Sequence, residues 1–410
     1  MIRAWQKLVL ASLLALPLAV VSGAHALSSA SLRKAPDLSL ASFPWNGLAK
    51  EKISYQMMVG NVRLVSGVSQ SDRDASAIQD DDQIQRLAVG PAELTRFATQ
   101  ASAAAKDALR LEPLSPRAHA ILALSQTDPD RRRALVDLSS QLNRRDLPLQ
   151  GLVLEQKVAT SDYEGSMETL DQILRVHPER QAEFFPLLIA ALARDATLPA
   201  FTDLLSKPIP WRDAFLISAV RDQNVLTNLA KIRQQVAIDN TEFDRQLIGR
   251  LAEAGNIAEA ERIYRRVSGA APSNSSAWPS NYPPFDWKLA DRSGFRAQPS
   301  PGQDLLEIDV DPGNGGVIGS RVMAALKPPF SLGLSHSIEP VSQLKDVKVS
   351  LSCWGAKEAF FERALSAADS VYSVSEAPSC PYFAIWISAR SWTGTRPLTG
   401  ALRSVTIFVP

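Results

Sequence analysis

Three aromatic residues in the last quarter of the chain, Trp354, Tyr382 and Trp386, have the types and spacing of a flat ligand-binding surface. Successive side chains of a β-strand point to opposite faces of the sheet. If the segments 347–353 and 383–387 turn their alternating apolar residues towards a core, the three rings share the opposite face. We therefore predict an aromatic face at this end of the chain.

Aromatic faces of this kind bind sugars, because the axial C–H face of a pyranose packs on a π surface while its hydroxyls contact polar neighbours. The polar residues that could contact these hydroxyls are Arg390, Ser388 and Lys348. The carbohydrate-binding candidates are Trp354, Tyr382, Trp386 and Arg390. In the alternative interpretation, a second sheet or the helices cover this face and the rings only fill space.

The chain contains two cysteines, Cys353 and Cys380, both in this C-terminal region. An even pair in one small domain of an exported protein predicts a disulfide. Two buried free thiols are the alternative. A metal site is disfavoured, because no histidine lies near either cysteine in the sequence.

Residues for catalysis are scarce. After the N-terminal segment the chain keeps the histidines His119, His177 and His336. His336 lies between Ser335 and Ser337, but neighbouring side chains on a strand point to opposite faces and cannot form a catalytic pair. The sequence contains no glycine-rich phosphate loop, nucleophile elbow or His-Glu metal motif. We expect a protein that is not an enzyme and that uses no metal or cofactor.

The N-terminus has the pattern of a cleavable signal peptide. Arg3 and Lys7 precede the apolar run Leu8–Val21, and Ala24-His25-Ala26 supplies small residues at a cleavage site. We predict cleavage after Ala26 and a periplasmic or secreted protein. An uncleaved membrane anchor is the alternative, although the apolar run is short for a span.

The remainder of the chain has no second apolar stretch long enough to cross a bilayer, so we expect no membrane span in the mature protein. The formal net charge is +1, and the positive and negative residues are interspersed. This pattern lacks the basic stripe of a nucleic-acid-binding protein, and we expect no nucleic-acid partner.

Between residues 85 and 270 the apolar residues recur with helical spacing. Small or apolar residues at matching offsets, closed by a proline, occur in three segments: Tyr163, Ser166, Leu170, Ile173 and Pro178; Ile257, Ala260, Tyr264, Val267 and Pro272; and Ala98, Ala101, Ala105, Ala108 and Pro113. A small residue lets two helices approach closely, and a proline ends the helix before the next unit.

This region resembles the tetratricopeptide repeat family. Gly255, Ala260, Tyr264 and Pro272 stand where that family places its turn, small, aromatic and proline residues. The resemblance implies a solenoid of helical hairpins that binds a protein or peptide on its concave face and has no catalytic activity.

After residue 284 strand patterns replace helical ones. Alternating apolar residues predict strands around Phe285–Leu289, Leu306–Val310, Val347–Cys353, Phe383–Ile387 and Val405–Val409. We expect an antiparallel sandwich of these strands. One segment, Ala356–Ala368, has the spacing of a helix.

The C-terminal region also resembles the galactose-binding-like jelly-roll modules that bind carbohydrate. The similar segments are Pro284-Phe285-Asp286-Trp287, the strand Leu306–Asp311 with its glycine turn, and Leu326-Lys327-Pro328-Pro329-Phe330. The resemblance implies a sugar-binding sandwich of the jelly-roll type.

Together these patterns predict an α + β multidomain chain, in which a helical solenoid is followed by a β-sandwich. The predicted divisions are a signal peptide (1–26), a poorly defined segment (27–84), a repeat domain (85–270), a linker (271–281) and the sandwich (282–410).

The favoured function is that of an exported, non-catalytic binding scaffold. The repeats bind an envelope protein and the sandwich is a candidate for binding polysaccharide, as in scaffolds of exopolysaccharide synthesis or export. One alternative is a scaffold for protein–protein contacts alone, with the sandwich as a structural cap. The least favoured is a polysaccharide-processing enzyme, since the sequence shows no cluster of facing carboxylates.

Overall fold

The computed structural model describes residues 19–66, 91–269, 278–301, 303–366 and 369–409. Most of the apolar run Leu8–Val21, all of the segment 67–90 and Pro272 lie outside these ranges. The chain divides into two compact units, Met1–Gln181 and Ala182–Pro410. A helical region followed by antiparallel sheets confirms the predicted fold class.

The first unit is helical. Its helices are α1 (residues 19–31), α2 (Pro36–Ser42), α3 (Gly47–Ser66), α4 (Pro91–Leu111), α5 (Pro116–Leu124), α6 (Pro129–Leu142), α7 (Leu147–Ala159) and α8 (Tyr163–Val176). The described part of the segment 27–84, which lacked a clear sequence pattern, therefore contains the end of α1 and the helices α2 and α3.

The sequence explains where these helices begin and how they pack. Asp128, Asp146 and Asp162 each cap a helix by accepting backbone N–H groups of its first turn. The alanines on one face of α4 are almost fully buried in a core shared with α3 and α5. Their small side chains let α3 and α5 pack closely against this face.

The second unit begins with six further helices, namely α9 (Gln181–Leu192), α10 (Leu198–Ser206), α11 (Arg212–Ala219), α12 (Leu226–Gln235), α13 (Thr241–Glu253) and α14 (Ile257–Ser268). The last two lie on either side of Gly255, where the repeat resemblance places a turn. A buried ion pair joins α12 to α13, since Arg233 donates to both carboxylate oxygens of Asp244 at 2.6 and 3.0 Å.

The rest of the second unit is an antiparallel β-sandwich. Its strands are β1 (Lys288–Leu289), β2 (Asp291–Arg292), β3 (Phe295–Pro299), β4 (Leu306–Val310), β5 (Gly315–Ala324), β6 (Phe330–His336), β7 (Val347–Cys353), β8 (Ala359–Ala364), β9 (Asp369–Val374), β10 (Tyr382–Arg390) and β11 (Leu398–Phe408). One sheet has the order β1-β5-β10-β7-β8, and the other has the order β2-β3-β4-β11-β6-β9. Apolar side chains from both sheets form one core.

The helix expected over Ala356–Ala368 is wrong. Residues Ala359–Ala364 form strand β8, which pairs with β7 so that Leu351 lies opposite Phe361. Phe361 is buried in the sandwich core. The alanines of this segment have a high helix propensity, but pairing with a neighbouring strand and burial of Phe361 override that local preference. The strand expected over Phe285–Leu289 is also shorter than predicted, because only Lys288–Leu289 pairs.

The predicted disulfide is confirmed. Cys353 ends β7 and Cys380 precedes the adjacent strand β10, with the two Cα atoms 6.0 Å apart. The bond closes a loop with a sequence separation of 27. In the chain-entropy picture a loop of that length stabilises the folded state by about 3.5 kcal/mol.

Within the described ranges, no single helix combines the length and apolar content needed to cross a membrane. One bent pair of helices, Pro178–Leu192 and Asp195–Ser206, passes that test by length and composition when taken together.

Candidate functional site

The alternation predicted for β10 is confirmed. Phe383, Ile385 and Ile387 lie in the sandwich core, so Tyr382 and Trp386 are on the opposite face of the sheet. On that outer face Trp386 is flanked by a serine of each neighbouring strand, because it pairs with Ser320 of β5 and Ser350 of β7. A tryptophan with hydroxyl groups on both sides is suited to contact a polar ring.

This outer face forms one wall of a cleft of about 890 Å³, and helix α13 forms the other. Trp386 and Trp354 both line the cleft and are partly exposed. The indole N–H of Trp386 donates to the hydroxyl of Ser352 at 2.9 Å, and Ser352 is itself buried. This hydrogen bond holds the Trp386 ring in a defined orientation at the cleft wall.

The helical wall of the cleft is one side of α13. Its residues, which recur at helical spacing, are Arg245, Gln246, Gly249, Arg250 and Glu253. Arg245 pairs with Glu242 one turn earlier, and Arg250 donates to the carbonyl oxygen of Arg221 at 3.1 Å. Both guanidinium groups therefore keep N–H donors that these bonds do not use, since a guanidinium has five.

The charge on the cleft is predominantly positive. Its cationic residues are Arg245, Arg250, Lys288 and Arg321, and its carboxylates are Glu253 and Asp291. One residue of each sign is paired with a residue outside the lining, Asp291 with Arg296 at 3.1 Å and Arg245 with Glu242, so the cations remain in excess. The ring face of one wall and the cationic helix of the other give the cleft two chemically different sides.

Tyr382 is on the predicted face but does not line the cleft. It is 8% exposed, and its hydroxyl donates to a carboxylate oxygen of Glu261 on α14 at 2.7 Å. Burial, and then the hydrogen bond to Glu261, raise the pKa of Tyr382 to about 12. Its ring also meets Phe285 edge to face.

Arg390 lies at the far end of β10, opposite Gly315. It is exposed, and its guanidinium stacks on the ring of Trp392 at 4.8 Å. The structure thus brings together two of the four predicted sugar-binding residues, Trp354 and Trp386, and places Tyr382 and Arg390 outside the cleft lining.

Besides the bond between Tyr382 and Glu261, a second polar contact joins helix α14 to the sandwich region. The Tyr264 hydroxyl donates to Asp286 at 3.0 Å, and the other oxygen of Asp286 accepts the backbone N–H of Tyr282 at 2.9 Å. The Tyr264 ring stacks on Phe285 at 5.1 Å. Burial and the neighbouring Asp286 raise the pKa of Tyr264. Tyr264 and Tyr382 therefore join the helical hairpin to the sheet that carries the cleft.

Sequence reasoning missed the helical half of the site. The repeat resemblance gave Tyr264 the aromatic position of a helical repeat, whereas in the structure its hydroxyl donates to Asp286 in the sandwich region. The signal that could have found this wall is the row of arginines around Gly249 on the helix next to the sandwich.

None of the histidines that the structure describes lines the cleft. His336 is 3% exposed at the end of β6, and His177 contacts Glu179 and the carbonyl of Arg145. Burial lowers the pKa of His119. Among the residues that the structure describes, no group of three or more His, Cys, Asp or Glu side chains could hold a metal ion.

No protein-family model matches this chain, and no curated protein matches it. Among solved structures, it is similar to the crystal structure of accessory secretory protein 1, 2 and 3 in Streptococcus pneumoniae. The TM-score is 0.23 at 10% identity, over 34% of this chain and 97% of that one. A similarity of this size shows neither a shared family nor a shared function.

Proposed function

We propose that this chain is an exported, non-catalytic binding protein whose cleft holds a segment of glycan. The observation that supports this most is the position of Trp354 and Trp386 in one wall, opposite the arginines of α13. Stacking of a sugar on an indole buries the apolar face of the sugar, and flanking hydroxyl and guanidinium groups satisfy its polar edge. The resemblance of the sandwich to jelly-roll modules that bind carbohydrate supports the same role.

A binding role is favoured over hydrolysis by the chemistry of the cleft. Glycoside hydrolysis uses two carboxyl groups that flank the scissile bond. Of the two carboxylates that line this cleft, Asp291 is already paired with Arg296, and the lining includes no histidine or cysteine. We infer that the protein holds its ligand without cleaving it.

The helices preceding the sandwich would serve as a tetratricopeptide-like surface for an envelope protein partner. Small residues between close helices, as in α4, are the feature that supports a repeat array. The disulfide fits an oxidising compartment such as the periplasm or the cell exterior. A scaffold that contacts both a partner protein and a polymer suits exopolysaccharide synthesis or export.

The glycan proposal is tested with the full mature chain and a panel of acidic and neutral oligosaccharides, by calorimetry and tryptophan fluorescence. We expect Trp386→Ala to weaken binding at least about tenfold, because burial of a large apolar side chain contributes about 1.5–3 kcal/mol. Trp392→Ala is the matched control, since Trp392 is 51% exposed and does not line the cleft. Absence of binding by the unmodified protein, or equal losses in both variants, would refute the proposal.

A second candidate is a scaffold for proteins alone, with the sandwich as a cap on the helices. The contacts of Tyr382 with Glu261 and of Tyr264 with Asp286 favour it, because they dock the sheet on α14. In that case the cleft has no ligand, and Trp386→Ala leaves every binding activity of the protein unchanged.

A further inference from the structure

We propose that the ligand of the cleft is an acidic, carboxylate-bearing saccharide, and that Gly249 determines how closely it approaches helix α13. This inference rests on the proposed glycan-binding function and specifies its substrate class. It gives a role in ligand specificity to a glycine within a helix, at a position where packing of the protein does not require glycine.

Gly249 lies in the interior of α13, with its position open to the cleft. Glycine at such a position destabilises a helix relative to alanine, because it loses more backbone freedom on folding. A Cβ added at Gly249 would meet only the carbonyl oxygen of Pro283, at 3.8 Å, which is an ordinary van der Waals contact. Packing within the protein therefore gives no reason for glycine here.

Gly60 of α3 is equally open, but Gly249 lines the cleft, where a ligand would give a reason for glycine. Without a side chain at position 249, the backbone of α13 is accessible between two cationic side chains, Arg245 and Arg250. The first is four residues before the glycine and the second directly follows it, so both are near the gap that the glycine leaves. We infer that the acidic edge of a sugar enters this gap.

The two walls then match two parts of one ligand. An acidic sugar has an apolar ring face for Trp386 and a carboxylate for the guanidinium groups of Arg245 and Arg250. Guanidinium groups bind carboxylates through paired, charge-assisted hydrogen bonds. A neutral sugar offers these arginines only hydroxyl oxygens, whose hydrogen bonds are weaker than those of a carboxylate.

The role of Gly249 is tested with Gly249→Ala in the full mature chain. We expect the melting temperature to rise by about 2–4 °C, as the gain in helix propensity implies for a unit of this size. Affinity for an acidic oligosaccharide should fall about five- to tenfold, because the methyl group occupies the space for the ligand.

Gly60→Ala is the matched control, since Gly60 lies within α3 and an added Cβ there meets nothing within 4 Å. That change should leave the affinity as it was. A Gly249→Ala protein that binds the acidic oligosaccharide as tightly as the unmodified chain overturns the role of Gly249.

The substrate class is tested with oligogalacturonate and oligoglucuronate, each compared with its methyl-esterified form. The ester keeps the sugar ring and removes the charge. We expect the acids to bind at least about tenfold more tightly, the usual effect of a charge-assisted contact. Replacing Arg245 and Arg250 by glutamine should abolish this difference, whereas Arg266→Gln, at an exposed position of α14, should preserve it.

The two proposals fail in different ways. If the esters bind as tightly as the acids and Trp386→Ala removes both, the cleft binds sugars but the acidic class is wrong. If none of the four probes nor any neutral oligosaccharide binds, the glycan-binding function itself is wrong.

Discussion

Tyr382 shows how one side chain connects the sandwich to the helices. Its hydroxyl donates to Glu261, which is 121 positions away in sequence, and Glu261 also accepts from Arg265. The hydroxyl must stay protonated to donate this bond, and burial also disfavours its ionised form. The pKa of Tyr382 is accordingly raised from 10.0 to about 12.

A raised tyrosine pKa makes stability depend on pH in the alkaline range. Between pH 10 and about 12 the unfolded chain loses this proton while the folded chain keeps it, so the free energy of unfolding falls as the pH rises. We expect Tyr382→Phe to cost about 1.5 kcal/mol at neutral pH, the value of a hydrogen bond to a charged group. The difference between the two proteins should shrink from pH 10 to 12 in urea unfolding experiments.

Tyr163→Phe is the control, because Tyr163 is 36% exposed on α8. Its difference from the unmodified chain should be small and independent of pH over the same interval. A constant difference for Tyr382→Phe would contradict the role given to its hydroxyl.

For single residues, the sequence predicted which face of the sheet a side chain occupies but not which residues it contacts. Alternation along β10 placed Tyr382 and Trp386 on the outer face, since the two-residue period of a strand is a local property. It could not show that Glu261 covers Tyr382 while Trp386 stays in an open cleft. Those outcomes depend on the packing of α13 and α14 against the sheet, which is set by tertiary structure.

At the scale of elements, the cleft depends on α13 being a stable helix despite Gly249. Its N-terminus is capped by Asn240, whose side-chain oxygen accepts the backbone N–H of Phe243 at 2.9 Å. Its buried side holds Phe243, Leu247 and Leu251, which are fully buried. The cap and this apolar stripe offset the cost of the glycine on the cleft side.

Loss of the cap should be measurable. We expect Asn240→Ala to lower the free energy of unfolding of the second unit by about 1 kcal/mol. Asn256→Ala provides a matched comparison in the same hairpin, because Asn256 stands at the start of α14 without a side-chain capping bond. That variant should lose only a few tenths of a kcal/mol. Urea unfolding midpoints of the two variants give the comparison, and equal losses would show that the cap has no special role.

Elements with a strong local sequence pattern were predictable. Elements that form because they pair with a distant segment were not. The α13–α14 hairpin follows from helical spacing on both sides of Gly255, where the positive φ of 84° suits glycine. Strand β8 was mistaken for a helix, because its alanine spacing is local while its pairing with β7 is not. The helices of the segment 27–84 escaped notice because their apolar stripes are weak.

At the scale of the whole molecule, export is the property that the sequence predicts most sharply. Produced from its own N-terminus in a bacterium with a periplasm, the protein should be recovered from that compartment with Leu27 as its first residue. Ser28, directly after, is buried and bonds Ser39 at 2.8 Å, so the residues after the cut are held against α2. Mass spectrometry of the intact chain checks this, and a protein that retains residues 1–26 would contradict it.

The function proposed for the whole molecule combines two kinds of surface. In this proposal the helices with small residues between them bind a protein, and the cleft in the second unit, with its rings and cations, binds a sugar. The sequence predicted the rings, because tryptophans stand out by type. It did not predict the cations, because exposed arginines are common on helices. They indicate a binding site only when the structure places another surface opposite them.

Glycan binding by the cleft is decided by the affinity of the mature chain for an acidic oligosaccharide, measured by calorimetry before and after Trp386→Ala. We predict clear binding by the unmodified protein, a loss of at least about tenfold in this variant, and no loss in Trp392→Ala. A chain that gives no binding heat with any oligosaccharide, or that binds equally well without Trp386, would contradict the central claim that this cleft holds a glycan.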